Sequence, residues 1–211
     1  MRRLTIPCKI GVLADTQVSN PTERDKFLAV VSRLFSSCDF IFHAGDIIYP
    51  TLLKDLGKIA PVWAVPGNED DFGLYAKLPQ KIDFQAGKFR LSLLHGHRPI
   101  LIEAPNILAN RIRHLLGRPP ILKGLYRYLL KSCSVSDCII FGHSHVSYLD
   151  IKNHTLLLNP GAFCFPQEMY NLPPSVAIIN VKDLTISASI FNIDIDKGFY
   201  TKSKTKYFKR D

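Results

Sequence analysis

Six side chains of metal-binding type stand at the ends of short apolar runs: Asp15 in VLADTQ, Asp46 in FHAGD, Asn68 in VPGNED, His95 in LLHGH, and His143 with His145 in FGHSH. Two carboxylates, an amide and three imidazoles do not suit a structural zinc cluster, which favours thiolates and imidazoles. They suit two divalent ions, with one carboxylate bridging and an open face left for substrate and water. Asp46 has two oxygens and can touch two ions at once. Glycines before Asp46, Asn68 and His143 allow tight turns that bring the backbone close to the ions. Gln17 breaks the pattern. Its neutral carbonyl oxygen is a weaker donor to late transition metals than an imidazole, so a first ion would be loosely held, present only with substrate, or harder in character; a contact to phosphate or water, or a structural role, is equally open.

The elements that must carry these residues can be read from periodicity. CKIGVLA (8–14) is a compact apolar run, hence a buried strand. Residues 21–35 open with Pro21 and repeat Phe27, Val30, Val31 and Leu34 at helical spacing. DFIFHAGD is strand then loop, 51–58 a short helix, and PVWAV a strand ending at Pro66-Gly67. This alternation implies parallel strands with helical crossovers, whose ligands bind at the strands' carboxyl ends. Asp15, Asp46 and Asn68 each lie just past such an end. The second half reads as hairpins: FQAGKFRLSLLHG turning at Ala86-Gly87, HVSYLDIKNHTLLLNPGAF turning near Lys152-Asn153, and a final SVAIINVKDLTISASIFNI turning at Lys182-Asp183. Helices around 106–116 and 121–131 interrupt them.

Composition bounds the class. The chain has 211 residues, enough for one sizeable α/β domain. No apolar run reaches membrane-spanning length. MRRLTIPCKIGVLAD is read as a first strand and not as a signal peptide, because it lacks a cleavage site and runs straight into Asp15. Cys8, Cys38, Cys133, Cys138 and Cys164 are scattered and odd in number, which fits reduced thiols in a cytoplasmic protein. The net charge of +9 is uneven. Residues 103–131 set Arg111, Arg113, Arg118, Lys123, Arg127 and Lys131 against Glu103 alone; residues 197–211 hold six basic residues against Asp211. The expected organisation is one domain over 1–196 with a basic helical insertion at about 103–135, then a basic tail over 197–211. Such clusters attract anionic surfaces or substrates, or are solvated faces.

The ordered motifs DxQ, GD, GNED, HGH, GHSH and NPGA, over about residues 8–192, resemble the calcineurin-like metallophosphoesterase superfamily. They look most like its compact YfcE-type phosphodiesterase branch, which includes the metal-binding scaffold subunit of the eukaryotic retromer. The resemblance implies an α/β fold, a four-layer αββα sandwich of two mixed β-sheets flanked by helices. It implies that Asp15 and His145 hold a first ion, that Asp46 bridges, and that Asn68, His95 and His143 hold a second, with Asn159 of NPGA shaping the loop nearby. Manganese is the expected ion; iron, nickel, cobalt, zinc and magnesium are compatible. The family usually carries DxH where this chain has Gln17, and many members have a histidine where this chain has Glu69. A missing general acid favours good leaving groups, and His97, two residues beyond His95, is a candidate for part of that role beside Asn68. His43 reads as packing, and His114 and His154 as surface residues.

The first functional expectation is a metal-dependent phosphoesterase, a phosphodiesterase or phosphatase attacking a small anionic phosphoester with a metal-bridging hydroxide. Gln17 motivates a second, a non-catalytic metal-binding scaffold. The basic, leucine-rich helices motivate a third, binding to nucleic acid or an anionic membrane. Oligomer formation is left open.

Overall fold

A computed structural model describes residues 1–18, 20–163 and 172–209. The described residues form two six-stranded mixed sheets. The strands are β1 (Arg2–Leu4), β2 (Cys8–Leu13), β3 (Phe40–His43), β4 (Val62–Ala64), β5 (Lys81–Ala86), β6 (Phe89–Leu94), β7 (Cys138–Ile140), β8 (Tyr148–Lys152), β9 (Thr155–Asn159), β10 (Ser175–Val181), β11 (Thr185–Asp194) and β12 (Phe199–Lys209). The helices are α1 (Pro21–Leu34), α2 (Pro50–Leu56), α3 (Phe72–Lys77), α4 (Ile100–Leu115) and α5 (Lys123–Ser132). One sheet runs β1-β5-β6-β7-β9-β8 and the other β12-β11-β10-β2-β3-β4.

Between the sheets lies an apolar layer that includes Ile10, Val12, Phe42, Phe84, Leu91, Ile140, Leu158 and Ile179. A second layer packs α1, α2 and α3 on the β2-β3-β4 sheet through Phe27, Val31, Leu52, Leu56 and Leu74. A third packs α5 on the other sheet through Leu125 and Leu129 against Phe141 and Leu157. The result is the expected αββα order. The near-continuous apolar strands follow from this, since each sheet is covered on both faces. Helix α1 starts where Asn20 accepts a hydrogen bond from the Glu23 N–H, with proline in its first turn.

Strands β2, β3 and β4 are mutually parallel, as are β6, β7 and β9. The loops after β2, β3, β4, β6 and β7 therefore leave from the same edge of the two facing sheets. Those loops carry Asp15, Asp46, Asn68, His95 and the His143–His145 pair.

Three expectations change. The first strand is two: β1 pairs in parallel with β5 in one sheet, and β2 lies inside the other. Helix α3 follows the GNED loop, capped by Asp71, and was too short to show periodicity. The segment expected as a basic tail is strand β12, paired antiparallel along β11. Its lysines Lys202, Lys204 and Lys206 line an edge strand, where charge discourages pairing with a foreign strand. Lys206 also pairs with Asp150 at 3.3 Å. Cys8, Cys38, Cys133 and Cys138 are buried free thiols; Cys164, Arg210 and Asp211 lie outside the described residues. Among the described residues, no helix is long and apolar enough to cross a membrane.

Candidate metal centre

The backbone is bent hard at this edge. Asp15, Gln17, Asp46, His143 and His145 all have positive φ, from 29° to 68°, a region side chains other than glycine rarely occupy. The glycines do what close approach demands. A Cβ on Gly67 would lie 2.0 Å from Asp46 Oδ1, and one on Gly142 only 2.8 Å from the Ala44 carbonyl. Asp70, the last residue of GNED, ties two of these loops together. Its carboxylate accepts the backbone N–H groups of Ile47, Ile48 and Gly67 at 2.7–2.8 Å.

The candidate side chains then meet. Asp15, Asp46 and His145 present ligand atoms within 4.8 Å of one another. Asp15 Oδ2 is buried with no hydrogen-bond partner, an acceptor left over for a cation. Beside it, Asn68 Oδ1 lies 3.2 Å from His95 Nε2 and 3.0 Å from His143 Nδ1, while Asp46 Oδ2 is 3.4 Å from His95 Nε2. The rings are aimed by their other nitrogens. His95 Nδ1–H donates to the Ala44 carbonyl at 2.7 Å, and His143 Nε2–H to Glu103 Oε2 at 2.8 Å. The Asn68 amide donates to Glu69, which turns its oxygen inward. Such outer contacts fix which nitrogen is free for a metal. These oxygen and nitrogen donors fit a divalent metal ion.

The charges of the site point the same way. Burial pushes the Asp15 carboxyl up to about 8. Burial would lower His95, yet its hydrogen bond to Asp46 and the charges of Asp15 and Asp46 outweigh that and raise it to about 9. Burial holds His145 down to about 4, neutral and ready to ligate. Protons thus sit where cations would, and ion binding must displace them.

Two candidates are placed differently. Gln17 turns its amide nitrogen, not its carbonyl oxygen, toward Asp46 Oδ2, at 3.5 Å. Coordination through its oxygen would need the amide to turn over. His97 hydrogen-bonds the Tyr75 hydroxyl at 3.2 Å and is not among the residues lining the adjacent cavity. His43 is buried at the end of β3, with Nε2 3.0 Å from Thr16 Oγ1, as a packing residue should be.

That cavity, of about 410 Å³, is lined on one side by Gln17, Asp46, Asn68, His143 and His145. The insertion lines the other with Asn106, Ile107, Asn110 and Arg111 of α4, Ile121 and Leu122 of the turn, and Leu125 of α5. Glu103 joins the two sides. It is 5% exposed, and besides His143 it accepts the backbone N–H and Nε–H of Arg98. Nothing in local sequence marks it, because its partner lies forty residues away.

The model of the calcineurin-like phosphoesterase superfamily domain matches residues 8–184. The chain belongs to the calcineurin-like phosphoesterase superfamily. It is thereby a metal-dependent phosphoesterase in general type. A probable metallophosphoesterase of Methanothermobacter thermautotrophicus is 28% identical over 185 residues, covering 86% of this chain and 90% of the relative. Among solved structures, Vacuolar Protein Sorting 29 of Cryptosporidium parvum superposes with a TM-score of 0.68 at 18% identity, over 96% of this chain and 98% of that one. An archaeal phosphodiesterase superposes with a TM-score of 0.53 at 18% identity, over 92% and 98%. At these identities the structural likenesses speak for the calcineurin-like phosphoesterase fold alone.

Proposed function

We propose that this phosphoesterase is a phosphodiesterase using two divalent ions, one held by Asp15, Asp46 and His145 and the other by Asp46, Asn68, His95 and His143. The supporting observation is the convergence of these six side chains, from five separate loops, beside one cavity. When bound, the ions would polarise the phosphoryl group and supply a hydroxide nucleophile at neutral pH; manganese suits the donor set. The chain's own groups bind and orient. Arg111, on the cavity wall, meets the anionic substrate. Ile107, Ile121, Leu122 and Leu125 give the far wall an apolar character, which suits a diester whose second substituent is apolar or planar. Gln17 steadies Asp46 and can donate to a phosphate oxygen. His97, set behind His95 and His143 with ring centroids 5.5 and 6.4 Å away, acts as a positioning residue. The cavity's carboxylates outside the ligand set, Glu69 and Glu103, are engaged by Asn68 and by His143 with Arg98, so neither is placed to protonate a leaving group, which favours esters with good leaving groups.

The test is hydrolysis of bis-(p-nitrophenyl) phosphate and p-nitrophenyl phosphate by protein stripped with chelator and reloaded with single metals. We expect the diester to be preferred, and Asp46→Ala to abolish turnover and loading together. Protein holding two ions per chain that hydrolyses neither ester would exclude the reading. Gln17 favours the second reading, a scaffold in which only the fuller set binds an ion. One ion per chain, no turnover, and no gain in Gln17→His would establish it.

A further inference from the structure

Helix α4 is amphipathic, but it is turned inside out. Its polar residues Glu103, Asn106, Asn110 and Arg111 line the cavity, and Glu103 is its only buried residue. Its apolar stripe faces away from the protein. Leu101, Leu108 and Leu115, seven residues apart, are 88%, 62% and 83% exposed, and Ile112 and Leu116 continue the stripe. A helix whose purpose is to close a domain buries such a stripe. A contiguous apolar face left outside marks a docking surface.

The charge around the stripe selects what docks. Arg118, Lys123, Arg127 and Lys131 are exposed along the turn after α4 and along α5. Between residues 100 and 135 the sole acid is Glu103, which is buried and engaged by His143 and Arg98. The rim is therefore cationic with no carboxylate to offset it. A second copy of this chain would set that rim against itself. Nucleic acid would satisfy the charges but offers little to exposed leucines, and α4 has no Phe, Tyr or Trp on which a base could stack. An anionic bilayer satisfies both parts, taking leucine and isoleucine at the acyl boundary and pairing arginine and lysine with headgroups.

We propose that α4 docks in the interfacial plane of an anionic lipid membrane, leaving the cavity that it walls open beside the headgroups. This does not depend on which phosphoester the site cleaves.

The test is co-sedimentation of the full chain with vesicles of phosphatidylcholine alone and of phosphatidylcholine mixed with phosphatidylglycerol. The wild type should bind the anionic vesicles, release on raising salt, and bind phosphatidylcholine weakly. Leu101→Ser/Leu108→Ser/Leu115→Ser should weaken binding by about tenfold or more, since each exposed leucine contributes acyl-region burial. Arg118→Glu/Arg127→Glu should do the same. Both variants change only exposed residues, so metal content, melting temperature and turnover of a soluble ester should match wild type. The proposal is overturned if wild type ignores anionic vesicles, or if the serine variant binds them undiminished. It is equally overturned if sedimentation velocity shows a dimer that the serine variant dissociates, or if nucleic acid binds tightly while vesicles do not.

Discussion

Replacing Glu103 with glutamine keeps its shape and removes its charge, and the consequences can be worked through atom by atom. Oε2 accepts from His143 Nε2–H at 2.8 Å; Oε1 accepts from Arg98 N–H at 2.9 Å and Nε–H at 3.2 Å. All three partners are donors, and an amide offers one acceptor oxygen only. If the new nitrogen faces His143, the imidazole must accept there, which moves its proton to Nδ1. That is the nitrogen beside Asn68 Oδ1 which would otherwise bind the second ion. If the nitrogen faces Arg98, two donors collide in a buried site. Burial would raise the Glu103 carboxyl, but the His143 and Arg98 contacts overcome it and hold it at about 2, against an ordinary 4.5. That difference is worth roughly 3 kcal/mol, in line with about 1.5–3 kcal/mol for a hydrogen bond to a charged group. Loss of an outer partner of a metal-bound histidine lowers affinity or activity by about 10–100-fold. We therefore expect Glu103→Gln to weaken the second ion by that factor in calorimetric titration, with the turnover lost at limiting metal recovered at high metal. Arg98→Ala, which leaves the His143 contact intact, should have a much smaller effect. Unchanged affinity in Glu103→Gln, or an equal loss in Arg98→Ala, would refute a role in aiming His143 and leave Glu103 as an anchor for α4.

Further outcomes follow from the same contacts. Asp70→Asn leaves one of three backbone N–H donors unpaired; we expect a stability loss of about 1–3 kcal/mol by denaturant melt and weaker loading of both ions, because the loops at Asp46 and Gly67 separate. Gly67→Ala drives a methyl into Asp46, so metal content should collapse while the circular dichroism stays native. Loading the metals near pH 7 should expel protons, seen as a calorimetric enthalpy that varies with buffer ionisation, since Asp15 and His95 are raised to about 8 and about 9 in the ion-free site. In chelator, stability should also fall on the acid side. His43 is held neutral by burial, with its value lowered from 6.5 to about 3, so the unfolded chain takes up a proton first and stability is lost as pH drops through that window. Glu103, lowered from 4.5 to about 2, adds to the loss below pH 4.5, while Asp15, raised from 3.8 to about 8, contributes in the opposite sense between those values; His43→Asn should therefore reduce the loss between pH 6.5 and 4, and an unchanged pH profile of the melting temperature in that variant would contradict the His43 assignment.

What could be read beforehand separates by the range of the interaction. Candidate ligands such as Asp15 and Asn68 were legible because each follows the end of an apolar strand, and strand ends are a local pattern. The roles of Asp70 and Glu103 were not, although both side chains are buried, because each is defined by partners on other segments: the backbone at Ile47, Ile48 and Gly67 for one, His143 for the other. Strand β12 was missed for a related reason. Its alternating lysines read as a solvated tail until β11 is known to present an open edge beside them. Helix α4 shows the limit most sharply. Period and composition establish an amphipathic helix there, but they are identical whether its leucines face the protein or the solvent. Glu103, the one buried residue of α4, turns inward to His143 and Arg98, while Asn110 and Arg113 tie the helix to the turn at Pro119 and Ile121. Leu108 and Leu115, on the far side, then have nowhere to go but out. Because Glu103 both aims His143 and is the buried residue of α4, Glu103→Ala should alter metal affinity and vesicle binding together, whereas the serine variants of α4 should alter vesicle binding alone.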